Sequence, residues 1–439
     1  MANKEICIIG GGTVFHLRPH LALCAPAYGT VAKRLAEVCR RHPLGKALDT
    51  QLYLTRMAGG DAGCPETNDD VARLLTALTR DPATKIVFLT AALCDYTGRI
   101  EGCAGKSLPR LQTQVQTAPV VYLAPAEKLA SRIRRNRKDI FAVAFKTTTG
   151  ATEDEQYLAG LNLLKSSSVN LVLANDVRTR VNMIITPEEA RYATGKPRNE
   201  VLEELVDMAL LRSQLTFTRS TVVDGDPIAW SDPRLPAALR TVVNHCVAGG
   251  AYKSFRGATV GHFACRLGEN EFLTSIRKSN FNDLDQTGLV RVVTDGPDSV
   301  IAYGAKPSVG GQSQRIVFTD HPQYDCIVHF HCPKRAGSLV PSVSQREYEC
   351  GSHECGANVS RGLQRFGELS AVYLEEHGPN IVFHHSIDPQ VVISFIEENF
   401  DLSQKTGGYV SLGQILRTPD TLETLQQLVP PEASHACDV

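Results

Sequence analysis

Over the first 174 residues, β-prone runs alternate with amphipathic ones, and this alternation limits the possible folds more than any other feature of the chain. Apolar, β-branched runs at 6–9, 51–54, 85–90, 120–123, 140–145 and 171–174 read as strands. Apolar residues at helical spacing cover 30–41, 67–80, 126–138, 153–166 and 199–212. Strands that alternate with helices predict a largely parallel sheet in a doubly wound, Rossmann-like α/β domain, with ligands bound beyond the carboxyl ends of the strands. The first strand runs straight into Gly10, Gly11, Gly12 and Thr13. Glycines let backbone amides approach a phosphate, and a helix start favours anions. A tight turn without any ligand would use the same residues.

The 439 residues exceed one ordinary core and predict two or three domains. The region 216–235 has turn signals at Asp224-Gly-Asp-Pro227 and Asp232-Pro233 with little periodicity. We therefore expect a nucleotide-binding domain over 1–215, a linker over 216–235, a second α/β domain over 236–418 and a frayed tail over 419–439. With 43% hydrophobic and 21% charged residues and a net charge of −1, the composition argues against nucleic-acid or membrane-surface partners. No apolar run is long enough to span a bilayer, and the amino terminus reads as a strand rather than a signal peptide. Thirteen cysteines without CxxC spacing suit reduced thiols in a cytoplasm.

The second half centres on Asp325-Cys-Ile-Val-His-Phe-His-Cys-Pro333. Its apolar start predicts a buried strand, and residues two apart on a strand share a face, so His329 and His331 lie together while Phe330 points into the core. Further on, Leu374-Glu-Glu-His-Gly378 ends another apolar run with His377 beside a glycine. Three neutral imidazoles with an open fourth position describe a catalytic zinc-type site, with manganese or iron as other candidate ions. A lone His-x-His equally suits a satisfied pair; the third histidine favours metal.

From about 238 to 414 the chain resembles class II (metal-dependent) aldolase/adducin-type domains. The resemblance rests on the His-x-His strand end and the later His before Gly. It extends to Thr259-Val-Gly-His-Phe-Ala-Cys-Arg266, Phe272-Leu-Thr-Ser-Ile-Arg-Lys-Ser-Asn280 and Gly351-Ser-His-Glu-Cys-Gly356. It implies an α/β/α domain, a divalent ion on His329, His331 and His377, and an anion of the substrate held by Ser275, Arg277 and Lys278. Two departures stand out. Ser308-Val-Gly-Gly-Gln-Ser-Gln314 carries no carboxylate where family aldolases place an acidic base, and Arg277 and Lys278 replace the glycine of the phosphate loop. Proton transfer then falls to His353 or Glu354, with Tyr348 and Glu349 as further candidates. Glu376, if on a strand beside His377, points away from the ion.

In the first half, Ala91-Ala-Leu-Cys-Asp-Tyr96, Gly105-Lys-Ser107, Val143-Ala-Phe-Lys-Thr147 and Leu173-Ala-Asn-Asp-Val177 occur in that order. Together they resemble the phosphopantothenoylcysteine synthetase family. The resemblance implies a pocket for magnesium-bound CTP formed by Gly10, Gly11, Gly12, Thr13, Asp95, Lys106, Phe145 and Asp176, with Lys106 and Asn175 in catalysis. Asp95 and Asp176 as simple turn caps are the alternative. The asparagine that the family uses on its acyl intermediate falls at Ala25; His20, Cys24 and Tyr28 are what this chain offers there, and Arg18 and His20 are candidate anion ligands. The combined expectation is a bifunctional, cytoplasmic, homo-oligomeric enzyme (dimer or tetramer). It would join CTP-dependent carboxylate activation and amide ligation to metal-dependent aldol chemistry on a small carbonyl or carboxylate substrate. The alternatives are a lyase with a regulatory or assembly nucleotide-binding domain, and a non-catalytic adducin-like scaffold.

Overall fold

A computed structural model describes residues 4–112, 119–308 and 311–406. The expected tail 419–439, and residues 407–418 before it, lie outside the described residues. The chain divides into two compact units, one formed by Met1–Thr216 with Ser344–Cys355, the other by Phe217–Val343 with Gly356–Val439.

In the first unit the sheet order is Arg191–Tyr192, Asn182–Ile185, Leu171–Asp176, Phe141–Thr148, Thr84–Leu89, Glu5–Gly10, Asp49–Leu54. The last five of these pair in parallel, and the first two add antiparallel edges that the periodicity did not reveal. Strand order reverses beside Glu5–Gly10, since the chain goes first to one neighbour, Asp49–Leu54, and later to the other, Thr84–Leu89. Such a reversal is where open α/β sheets form a ligand crevice. Two helices begin where their sequences direct: Thr67 and Thr152 each accept the amide three residues on, and Asp70 and Glu155 bond back to the threonine amides. Two expectations need correction. The run 120–123 does not join the sheet; Tyr122–Pro125 instead forms an exposed pair with Tyr96–Arg99, because Val120, Tyr122 and Leu123 have no core to face. The basic helix is shorter than its pattern, Ala130–Asn136.

The second sheet runs Arg219–Val223, Ser299–Tyr303, Leu289–Thr294, Glu271–Ser275, His262–Arg266, Cys326–His329, Gly378–Phe383, Leu369–Leu374, Ser342–Val343. Both its faces are covered. Phe263, Cys265, Val328, Phe330 and Ile381 pack with Leu239, Val242, Ile393 and Ile396 of helices Ala237–Ala248 and Pro389–Asn399. Ala264, Ile327, Val372 and Val382 pack the other way with Val317, Phe318 and Val359 of helices Gly311–Asp320 and His353–Gly362. This is the expected α/β/α layering. The stretch 216–235 is not a linker: Arg219–Val223 pairs in parallel with Ser299–Tyr303, and Trp230 sits edge-on to Phe263 at 5.5 Å. The strand extends the edge of the sheet through its backbone, while Trp230, buried in the core, gains burial that a free linker would not offer. Among the described residues no helix is long and apolar enough to cross a membrane, and the cysteines are free thiols.

The first unit buries an ion pair. Arg212, whose side chain is 0% exposed, meets Glu188, 1% exposed, at 3.0 Å. Arg212 Nε and Nη2 donate to the carbonyls of Arg346 and Gln345, and Glu188 accepts the Cys350 amide at 2.6 Å. Two ions removed from water are tolerable only when their remaining donors and lone pairs are also satisfied, and the segment Ser344–Cys355 completes that set. Glu349 beside them accepts Asn170 Nδ2 at 3.0 Å. Burial, then repulsion from Glu188, raises its carboxyl to about 7.

Replacing Arg212 by Ala should cost about 3–5 kcal/mol in denaturant unfolding, the scale for stranding a buried charge. Glu349 predicts a pH effect. With its folded pKa above the unfolded value, the native state binds the extra proton, so stability falls as pH rises from about 4.5 to about 7. Glu349→Gln should flatten that decline by roughly 1–3 kcal/mol; equal slopes for wild type and variant would remove Glu349 as its source.

Candidate metal centre and nucleotide cleft

The three histidines of the second unit meet in its core. His329 ends the strand Cys326–His329, and His331 follows two residues later. His377 closes the tight turn between Leu369–Leu374 and Gly378–Phe383, its amide bonded to Leu374 O at 3.1 Å. Gly378 makes this approach possible: at φ +145° a Cβ on it would lie 2.1 Å from Phe330 O and 3.1 Å from His331 Cα. The imidazoles are 1%, 5% and 1% exposed for His329, His331 and His377. Their candidate ligand atoms all lie within 4.8 Å of one another.

The chemistry of this set fits a metal ion. His329 Nδ1 donates to Pro379 O at 2.7 Å, which leaves the Nε2 lone pair free to coordinate. That Nε2 is 3.2 Å from His377 Nε2, the spacing of two donors that share one ion. Burial lowers His329 to about 4, so it is neutral at pH 7, as a ligand must be. Glu376 lies not on a strand but in the turn, at φ +58°, and is exposed.

Sequence reasoning missed the neighbour of this set. His262 pairs directly across from His329, and their rings lie 4.7 Å apart. Asn380 stands opposite His329 on the other flank, so His262, His329 and Asn380 form one cross-strand row on one face. Gln314 comes from the very stretch that lacks a carboxylate. It is fully buried, accepts the Thr274 hydroxyl at 3.0 Å and donates through Nε2 to His262 Nδ1. With the amide so oriented, His262 keeps its proton on Nε2 and is a donor rather than a ligand or base. Burial, then the neighbouring His329 and His377, holds its pKa well below the ordinary value. Position 262, two residues before Ala264 on the family-like strand, was the signal that could have found it.

Other expected residues are not brought to the row. Ala264 pairs with Thr274, so Thr274 shares the face of His262, whereas Ser275, next along the strand and fully buried, faces the opposite way. Arg277 and Lys278 follow on an exposed turn. Glu354 accepts the Thr216 amide at 3.0 Å, and the His353 amide donates to Thr216 O, both within the first unit. The Glu354 carboxylate is thus engaged by a main-chain amide outside its helix, and Tyr348 and Glu349 also belong to that unit.

In the first unit, the reversal point brings Gly12 against Ala92 and Thr13 against Cys94. The chain does not pass from the glycines into a helix. It makes the hairpin Thr13–Arg18 with Leu21–Ala25, and the helix Thr30–Arg41 starts after Gly29. The Gly12 amide bonds to Ala27 O at 2.7 Å and the Thr13 amide to Ala92 O at 3.0 Å. A Cβ on Gly10 would meet Ala32 Cβ at 2.2 Å, and one on Gly11 would meet Thr55 Oγ1 at 2.1 Å. These glycines therefore serve close packing, and the amides of Gly12 and Thr13 are not available to a phosphate. Asp176 is a turn cap: it accepts the amides of Gly150, Ala151, Arg178 and Thr179 and the Thr148 hydroxyl. Burial works against its charge, but these donors hold the carboxyl well below its usual range. Asp95 is exposed and paired with Lys128, and Lys106 is paired with Glu66, which also takes Arg56 and His16. Phe145 and Asn175 lie toward the carboxyl ends of adjacent parallel strands, with Thr147 Oγ1 3.4 Å from Asn175 Oδ1. Arg18 is buried on the carbonyls of Leu17, Ile100 and Cys103, so it is structural rather than an anion ligand.

No family model and no curated protein matches the chain. Solved structures similar to it include a DNA/pantothenate metabolism flavoprotein from Streptococcus pneumoniae, 18% identical over 47% of this chain and 97% of that one, with a TM-score of 0.39. A putative aldolase/epimerase/decarboxylase from Klebsiella pneumoniae is 20% identical over 36% of this chain and 84% of its own, with a TM-score of 0.27. An L-fuculose 1-phosphate aldolase is 15% identical over 46% and 97%, with a TM-score of 0.29. The chain is similar to two kinds of solved structure, each over less than half its length.

Changing His329, His331 or His377 to Ala should remove a tightly held ion, while His262→Asn should retain it. Elemental analysis of each purified variant checks this, and full metal content in the triple alanine variant would refute the assignment.

Proposed function

We propose that the protein is an enzyme whose second unit performs carbon–carbon bond chemistry beside a carbonyl at a single divalent ion, zinc foremost with manganese or iron as the other candidates. The convergence of three buried imidazoles, with one tautomer set by a backbone carbonyl, carries this reading. Such an ion supplies Lewis acidity to a carbonyl or enediolate oxygen. His329, His331 and His377 hold it, and their burial keeps bulk water from the donors. His262, fixed by Gln314, offers an Nε2–H in the same row and so orients a substrate oxygen rather than accepting a proton. A non-catalytic scaffold gives no reason for three buried, nearly touching imidazoles.

For the first unit the four ordered motifs support a nucleotide-binding role, with CTP as the expected nucleotide and carboxylate activation followed by amide ligation as the full activity. A regulatory or assembly role is the second reading. It is favoured by Ala25 and by the Gly12 and Thr13 amides already bonded within the protein. Pyrophosphate release from CTP in the presence of candidate carboxylates and amines separates the two. Under either reading, Lys106→Ala should weaken nucleotide binding by roughly 1.5–3 kcal/mol, the worth of a hydrogen bond to a charged group. Calorimetry that detects no binding of CTP or ATP to the wild-type chain would refute the nucleotide role itself.

A further inference from the structure

The strand pair that carries the buried histidines bears a second group of metal-ligating side chains at its other end. Cys326 pairs with Phe383, so Asp325, just before one strand, and His384 and His385, just after the other, emerge side by side. Their ligand atoms all lie within 4.8 Å of one another. Three strand residues separate Asp325 from His329, roughly 13 Å along the ladder, so one ion cannot serve both.

We propose that Asp325, His384 and His385 form a second, solvent-facing site for a divalent transition ion such as nickel, copper or zinc. Two imidazoles and one carboxylate are a donor set suited to these ions and not to calcium or magnesium, which prefer oxygen. The carboxylate is the anchored member. It is only 13% exposed, its Oδ1 accepts the His385 amide at 2.7 Å, and its Oδ2 contacts His385 Nδ1 and lies 3.8 Å from His384 Nε2. Donors that share an ion at about 2.0–2.1 Å stand roughly 3–3.5 Å apart, so small side-chain rotations close the set. His384 Nδ1 lies 2.8 Å from Ser386 Oγ and 3.3 Å from the Ser386 amide. The amide is a fixed donor, so the ion-free ring accepts at Nδ1 and carries its proton on Nε2; coordination through Nε2 moves that proton to Nδ1, where the Ser386 hydroxyl accepts it. Both imidazoles are about half exposed, 48% and 54%, so water completes the coordination. The ion takes the place of the proton shared between Asp325 and His385.

The proposal is independent of the reading of the buried centre. The test uses the full chain without a histidine tag, stripped with chelator and titrated with nickel by equilibrium dialysis and by calorimetry. Wild type should bind a second equivalent that His384→Ala and His385→Ala each weaken at least about tenfold. The variant with His329, His331 and His377 all changed to Ala should keep this equivalent. Because His384 contributes few contacts to the fold, His384→Ala decides the matter should His385→Ala misfold. The absence of an equivalent assignable to this end in wild type, or its persistence at full affinity in His384→Ala, overturns the proposal.

Discussion

Everything in the second unit depends on the register of one antiparallel ladder, Cys326–His329 against Gly378–Phe383. Pairing Cys326 with Phe383 and His329 with Asn380 sets which residues stand in a row, and the side-chain period of two then sorts them between faces. A slip of one residue would turn the imidazoles into the layer that holds Phe263, Val328 and Phe330, where no polar partner awaits them. The register is protected at the turn. Gly378 packs so closely on Phe330 O that any other residue would push the strands apart.

The same ladder explains why the buried imidazoles are both costly and useful. Four buried histidines lose hydration there, and burial holds His262 and His329 toward the neutral form. Neutral imidazoles with one nitrogen committed to a carbonyl or an amide are ligands or donors by default. Pro379 O makes this choice for His329, and Gln314 makes it for His262. Gln314 stands in a stretch where a carboxylate was expected. An amide there polarises the neighbouring ring without adding charge, which suits a donor and not a base.

In the first unit, burial is used differently. Arg212 and Glu188 are ions without water, and they are stable there because the carbonyls of Gln345 and Arg346 and the amide of Cys350 complete their hydrogen bonds. A segment distant in sequence is thereby made part of the unit. The same accounting removes Asp176 and the Gly12 and Thr13 amides from the pool of ligand-binding groups, since each already has its full set of partners.

Periodicity alone determined the alternating strands and helices of the first half, because hydrophobic spacing reports which face is buried whatever the partner. The spacing of two residues in His329-Phe-His331 and the His377-Gly378 step made the metal set legible for the same reason: both express local backbone geometry. What the sequence did not reveal depends on partners far along the chain. The antiparallel edges of the first sheet, the strand Arg219–Val223 inside an expected linker, and the exposed pair formed by Tyr122–Pro125 were decided by which neighbour offered free backbone groups. His262 entered the row through cross-strand register, and Glu354 was drawn to Thr216 through a long-range hydrogen bond. A residue's type states what it can bond. Only the tertiary structure decides which of its possible partners is within reach and therefore whether it remains available for chemistry.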